Sequence, residues 1–179
     1  MVILYLILSM LTPELPVAEG SLAFSTSTVV TGTSVENEIH FIENSEQFQS
    51  LEEVVGALNG KKVYVDIWAT WCGPCIEEFE HNEKLQELAR EHDFDILYLS
   101  VDEPRREQQW KAAIQHFNLK GYHLLVNPAL EKQLRALFNN GGGVQIPWYM
   151  IFDEEAKLAK VYAPRPSELK ALARNMKKL

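Results

Sequence analysis

The sequence predicts an α/β fold, a mixed central sheet flanked by helices, and three observations carry that prediction. From Lys61 onward, apolar runs of strand length alternate with stretches whose apolar residues recur at helical spacing. The series closes with two short strands joined by a polar turn and a last amphipathic helix, which makes a parallel βαβ sheet into a mixed one. The only two cysteines, Cys72 and Cys75, sit where the first of these strands passes into a helix.

Taken in order, Met1 to Leu11 is almost entirely apolar, but it is shorter than a membrane-spanning helix requires and has no basic n-region, so it reads first as a helix end or linker of a longer precursor and second as a degenerate signal or anchor. Glu19 to Asn37 is a polar tract of small residues. Residues 1–38 are therefore expected to form an N-terminal arm, and residues 39–179 the folded domain. Ile39 to Ile42 suits a short strand, and Asn44 or Ser45 suits the cap of a helix with Phe48, Leu51, Val54, Val55 and Leu58 inward and Gly60 at its end.

Lys61 to Trp68 is a buried strand with Val63, Val65 and Ile67 on one face and Tyr64, Asp66 and Trp68 on the other. A motif helix is expected from about Cys75 to Arg90, then a strand over Phe94 to Val101. Arg105 to Phe117 presents Trp110, Ala113, Ile114 and Phe117 on one helical face. Tyr122 to Val126 is a short strand, and Pro128 to Phe138 a helix with Leu130, Leu134 and Leu137 inward. Asn139 to Gly143 is a glycine-rich loop, with Gly141 to Gly143 read first as a flexible loop and second as a hinge. Trp148 to Asp153 and Lys157 to Tyr162 form a strand pair across Asp153-Glu154-Glu155, and Ser167 to Leu179 closes the domain as a helix.

The net charge of −8 belongs to the N-terminal third: residues 1–60 hold eight acids and no Lys or Arg, and residues 61–179 hold seventeen of each sign. That distribution gives no support to nucleic-acid binding. With both cysteines inside one motif, none is left for a structural disulfide framework.

A Cys-x-x-Cys pair serves as a redox dithiol, half of a zinc site or a haem attachment point. Haem attachment needs His after the second cysteine, and Ile76 stands there. Zinc needs four ligands, of which Cys72, Cys75 and His81 are the ones close in sequence. His40, His92, His116 and His123 have no ligand spacing and read as surface or partly packed residues. A strand-to-helix junction places Cys72 beside free backbone N–H groups, which stabilise a thiolate, so the redox reading is favoured and no metal or other cofactor is expected.

Val65-Asp66-Ile67-Trp68-Ala69-Thr70-Trp71-Cys72-Gly73-Pro74-Cys75 resembles the active-site segment of the thioredoxin superfamily, and Ile146-Pro147 resembles its cis-proline. The Trp-Ala-Thr-Trp-Cys form and the inserted helix and strand between Asp102 and Asn127 resemble the TlpA/ResA-like envelope branch. The resemblance covers residues 39–179 and implies a thioredoxin fold and a thiol:disulfide oxidoreductase that reduces protein disulfides. It implies that Cys72 is an exposed nucleophile, Cys75 the more buried resolving thiol, and Asp66 the carboxylate that moves a proton to and from Cys75. Pro147 with Ile146 would dock an extended substrate, and Trp71, Gly73 and Pro74 would complete the apolar surface. Trp68 reads as core. The implied partners are protein disulfides and a membrane-bound or soluble thiol reductant, the implied place is the cell envelope or periplasm, and a monomer is expected. Peroxide reduction or disulfide isomerisation on the same fold, and a dithiol metal-binding module, are the competing functions.

Three positions depart from the family pattern. Glu80 stands where a proline kinks the motif helix, so a straighter helix is expected. Trp148 follows the proline where a small or hydroxylated residue is usual, and it suits either the substrate groove or the core. No lysine occurs near Tyr98 to neutralise Asp66, which leaves its carboxyl pKa higher. Glu77, Glu78 and Glu80 read mainly as a solvated face, although Glu78 matches a position often acidic in the TlpA/ResA-like branch.

Overall fold

The structure is a computed structural model, and it describes residues 38–138 and 143–179. The expected N-terminal arm and most of the glycine-rich loop lie outside the described residues. Six strands form one sheet in the order β1-β4-β3-β2-β5-β6. These are β1 (Ile39–Phe41), β2 (Lys62–Trp68), β3 (Phe94–Ser100), β4 (Gly121–Leu125), β5 (Trp148–Phe152) and β6 (Leu158–Lys160). The four strands from β1 to β2 run parallel, while β5 and β6 are antiparallel to their neighbours. This is the mixed α/β sheet the alternating pattern implied.

Helices cover both faces. On one side, α1 (Leu51–Gly56) and α5 (Pro128–Phe138) bury Leu51, Val54, Val55, Leu130 and Leu134 against Val63, Val65 and Ile67 of β2. On the other, α2 (Gly73–Glu78), α3 (Asn82–His92), α4 (Glu107–His116) and α6 (Leu169–Met176) cover Tyr64 and Trp68. Because successive side chains of a strand point to opposite faces, a central strand covered on both sides must be apolar almost throughout. Asp66 is the exception in β2.

Several boundaries differ from the sequence reading for local reasons. Ser50, and not Asn44 or Ser45, caps α1: its Oγ accepts from the Glu53 N–H at 3.2 Å. Asn44 instead adopts a left-handed conformation before a single 3-10 turn at Ser45–Gln47. The helix ends at Gly56, short of Gly60. Gly121 opens β4 at φ 136°, where a Cβ would lie 2.6 Å from the Ile96 carbonyl oxygen, so only glycine fits. The β5–β6 turn is held by Asp153, whose Oδ1 accepts from the N–H groups of Glu155 (3.1 Å) and Lys157 (2.8 Å).

The motif helix is broken despite lacking the proline. α2 stops at Glu78, Phe79–His81 form a 3-10 turn, and α3 starts at Asn82. A 3-10 turn places residues i and i+3 on one side. Here that brings both Phe79 and Asn82 inward: Phe79 packs edge-on against Trp68 at 5.2 Å, and Asn82 accepts from the Tyr98 hydroxyl at 2.7 Å. Tertiary partners thus do what a proline would otherwise do.

Register sets a row of polar residues across the covered face. Asp66 pairs with Tyr149 on β5 and Tyr98 on β3, and Tyr98 pairs with His123 on β4. His123, expected at the surface or partly packed, is fully buried and stacks on the Tyr98 ring with centroids 4.9 Å apart. Burial lowers its pKa to about 4, against a bond from its Nε2 to the Leu119 carbonyl that acts the other way. A histidine held neutral contributes stability above its ordinary value of 6.5 that is lost as pH falls through about 4. His123→Phe, which keeps a ring on Tyr98 but cannot titrate, should flatten the loss of stability over that acid range, measured by urea unfolding at a series of pH values.

Candidate redox site

The carboxyl end of β2 delivers the chain through Ala69, Thr70 and Trp71 to Cys72, the residue that caps α2. The Cys72 N–H donates to the Ala69 carbonyl at 3.0 Å, and its Sγ accepts from the Cys75 N–H at 3.2 Å. Pro74 suits the first turn, where a backbone N–H has no helical partner. Cys72 and Cys75 are joined by a disulfide across a Cα–Cα distance of 5.3 Å. Cys72 is 4% exposed and Cys75 1%. Both cysteines are thus buried in the disulfide-bonded state, and Cys72 is not an exposed side chain there. Accessibility at this point comes from its neighbours, with Trp71 59% exposed and Gly73 and Pro74 also open to solvent.

The loop before Cys72 is pinned by a residue that sequence reasoning passed over. Asp102, just beyond β3, is buried and accepts from the Thr70 N–H (2.8 Å), the Thr70 hydroxyl (2.7 Å) and the Ser100 hydroxyl (2.9 Å). The signal available was a Ser and an Asp two residues apart at the end of an apolar strand, beside a Thr two residues ahead of the first cysteine.

The Ile146–Pro147 peptide is cis and leads into β5, with both residues half-buried. Ile146 packs against the core cluster that contains Cys72, Cys75 and Trp68. Trp148 turns into the opposite core: it is buried, its Nε1 donates to the Val161 carbonyl at 2.6 Å, and its ring meets Phe138 edge-on at 5.2 Å. It is therefore not part of a groove wall.

Asp66 lies fully buried on the face of β2 that carries Tyr64 and Trp68. Burial raises its carboxyl well above the ordinary range, and the Glu78 carboxylate raises it further. Its Oδ1, the Trp68 Nε1 and the Tyr149 hydroxyl find no hydrogen-bond partner among the described residues. Tyr98 occupies the position across from it on β3, and the Tyr98 hydroxyl is turned to Asn82. The tyrosines around it are held protonated in turn: burial first and then Asp66 raise the pKa of Tyr64, Tyr98 and Tyr149.

Of the three glutamates assigned to a solvated face, Glu77 and Glu80 are exposed, but Glu78 is 8% exposed. Its carboxylate accepts from the Ser167 N–H at 2.9 Å and the Ser167 hydroxyl at 3.1 Å, and Arg165 lies 3.6 Å away. A buried charge needs such partners, and these come from a segment nearly ninety residues further along the chain. Local sequence gives no sign of them.

The arrangement combines an apolar rim, a disulfide at a helix start and, on the strand face that packs into the same core, a buried carboxyl whose pKa is raised. Among the described residues no group of three or more His, Cys, Asp and Glu side chains could hold a metal ion, and no helix is long and apolar enough to cross a membrane.

Comparison with known proteins places this geometry. A family model described as Redoxin matches residues 46–174. The chain is 26% identical to the thiol-disulfide oxidoreductase ResA of Halalkalibacterium halodurans over 128 residues, which cover 71% of this chain and 66% of that protein. For a Bacillus cereus ResA the covered share is 55%, so the chain spans about half to two thirds of these curated relatives. A solution structure of a candidate thiol-disulfide oxidoreductase from Bacteroides vulgatus is 31% identical with a TM-score of 0.54, covering 65% of this chain and 72% of that one.

Two outcomes follow from the site. Asp102→Ala leaves the Thr70 N–H and two hydroxyls without their acceptor, and should cost about 2–3 kcal/mol of stability in chemical unfolding. A carboxyl whose folded pKa is raised holds its proton longer than in the unfolded chain, so Asp66 lowers stability as pH rises above 3.8 and through the folded value. Asp66→Asn should therefore be more stable than the parent at neutral and alkaline pH, with the difference vanishing below that window, when the oxidised proteins are unfolded in urea.

Proposed function

This chain belongs to the redoxin family, and from that premise we propose that it is a thiol:disulfide oxidoreductase that reduces protein disulfides through Cys72 and Cys75. The observation that carries the reading is the Cys72–Cys75 disulfide at the start of α2, rimmed by exposed Trp71 and packed in one core with Tyr64 and Trp68, which share a face of β2 with buried Asp66.

The reaction runs as two thiol exchanges. In the reduced protein the Cys72 thiolate attacks one sulfur of a substrate disulfide, forming a mixed disulfide and releasing one substrate thiolate. The Cys75 thiol passes its proton to the Asp66 carboxylate, and the Cys75 sulfur attacks Cys72. That step releases the second substrate thiolate and regenerates the Cys72–Cys75 disulfide. An external thiol reductant, membrane-bound or soluble, returns two electrons and two protons. Trp71, Gly73 and Pro74 offer an apolar surface to the substrate, and Ile146 with Pro147 an extended backbone edge. The disulfide itself is the redox group, and no further cofactor takes part.

The Gly-Pro pair between the cysteines favours reduction as the direction, although the direction is finally set by the potentials of donor and acceptor. The resemblance of the motif to the TlpA/ResA-like envelope branch supports the cell envelope as the place of action, and the relatives' name, thiol-disulfide oxidoreductase, supports disulfides as the substrates.

Cys72→Ser should abolish turnover of a protein disulfide substrate, whereas Cys75→Ser should accumulate a mixed disulfide visible as a mass shift on non-reducing gels. Unchanged steady-state turnover by Cys75→Ser would exclude the two-cysteine route.

A further inference from the structure

Asp66 sits among groups that cannot neutralise it: Tyr64 on its own strand, Tyr98 on β3, Tyr149 on β5 and Glu78 on α2. Arg165 bears on this cluster, acting on Tyr149 and lying against Glu78. We propose that Ser167, assisted by Arg165, is a positioning residue of the redox site, seating the Glu78 carboxylate beside Asp66 and so fixing the pH at which Asp66 exchanges a proton with Cys75. The inference rests on the dithiol reaction proposed above.

The seat is built from the surroundings of Asp66 itself. The Ala163 N–H donates to the carbonyl of Tyr149, the cross-strand partner of Asp66, at 2.9 Å. The hydroxyl of Tyr64, two residues before Asp66, donates to the Pro164 carbonyl at 2.7 Å. Pro166 is buried, and the turn that follows is closed by the Arg165 N–H on Glu168 at 3.1 Å and the Glu168 N–H on the Arg165 carbonyl at 2.8 Å. Ser167 therefore approaches Glu78 on a segment already tied to β2, which carries the carboxyl, and to β5, which flanks it. Both Glu78 oxygens are engaged there, Oε2 by the backbone N–H and Oε1 by the hydroxyl. The Arg165 side chain is about half exposed, so water and salt screen its pull, and the aim of the carboxylate comes chiefly from Ser167.

The chemical consequence concerns one proton. When Cys75 attacks Cys72, its S–H bond breaks and the Asp66 carboxylate takes the proton. A negative Glu78 held close makes that carboxylate more basic, because placing a second charge beside it in a buried site is unfavourable. Loosening the seat lets Glu78 turn to water. That change makes Asp66 less basic and moves its titration to lower pH.

The test measures the reduction potential of the Cys72–Cys75 pair against dithiothreitol buffers over a pH series, with the inflection that disappears in Asp66→Asn assigned to Asp66. Ser167 is exposed and Glu78→Gln is isosteric, so both variants should fold, with urea unfolding as the control. The expected result is an inflection at lower pH in Ser167→Ala and at lower pH still in Glu78→Gln, with Ser167→Ala causing no additional shift in the Glu78→Gln background. An inflection unmoved by Ser167→Ala, or an equal shift with and without Glu78, overturns this inference alone. A parent disulfide that does not equilibrate with dithiothreitol, or a profile that Asp66→Asn leaves unchanged, overturns the proposed function's proton step and this inference with it.

Discussion

The double burial of β2 is the constraint on which the rest of this structure depends. The strand pairs with β3 on one side and β5 on the other, and helices cover both of its faces, so Val63 to Trp68 have no contact with water. A chain passing through such a place must be apolar or must carry polar groups in uncharged form. Burial moves the Asp66 carboxyl toward its uncharged form by raising its pKa, and it keeps the protons on its neighbours Tyr64, Tyr98 and Tyr149 for the same reason. The strand that builds the core also carries the proton acceptor of the proposed exchange, and two residues after its end it delivers Thr70 to Asp102.

The two carboxylates that organise the site around this strand are fixed from opposite directions. Asp102 fastens the loop that enters the motif, from the end of the neighbouring parallel strand. Glu78 is fastened at the end of the motif helix by a turn that follows the antiparallel hairpin. The first arrangement depends on parallel strands ending at a common edge. The second depends on β6 returning the chain to that same end. Both anchors flank the only stretch of the chain that carries sulfur chemistry, and both keep a buried negative group supplied with donors, without which burial would cost more than it returns.

Much of this was legible in the chain, and the parts that were not share a cause. The strand and helix order, the extent of α5, the polar hairpin turn and the strand-to-helix position of Cys72 follow from patterns confined to a few neighbouring residues. The break between α2 and α3 did not, because Phe79 and Asn82 turn inward to meet Trp68, Phe117 and Tyr98, which are remote in sequence. The burial of Glu78 was hidden for a similar reason. On the helix it stands between exposed Glu77 and Glu80, and nothing within a turn of it differs from an ordinary acidic surface. His123 read as a surface or partly packed residue until the pairing of β4 with β3 stacked it on Tyr98.

The sequence by itself therefore determined the fold class, the pair of cysteines and their place at a helix start, and the presence of an aspartate in an otherwise apolar strand. These are matters of period, composition and adjacency, which the covalent chain carries directly. Only the tertiary structure decided that Cys72 is tucked in while Trp71 is open, that Trp148 belongs to the core, and that Glu78 is a seated charge. Each of those depends on which distant side chain fills the neighbouring space. Strand register and helix docking set that, and no local pattern specifies it.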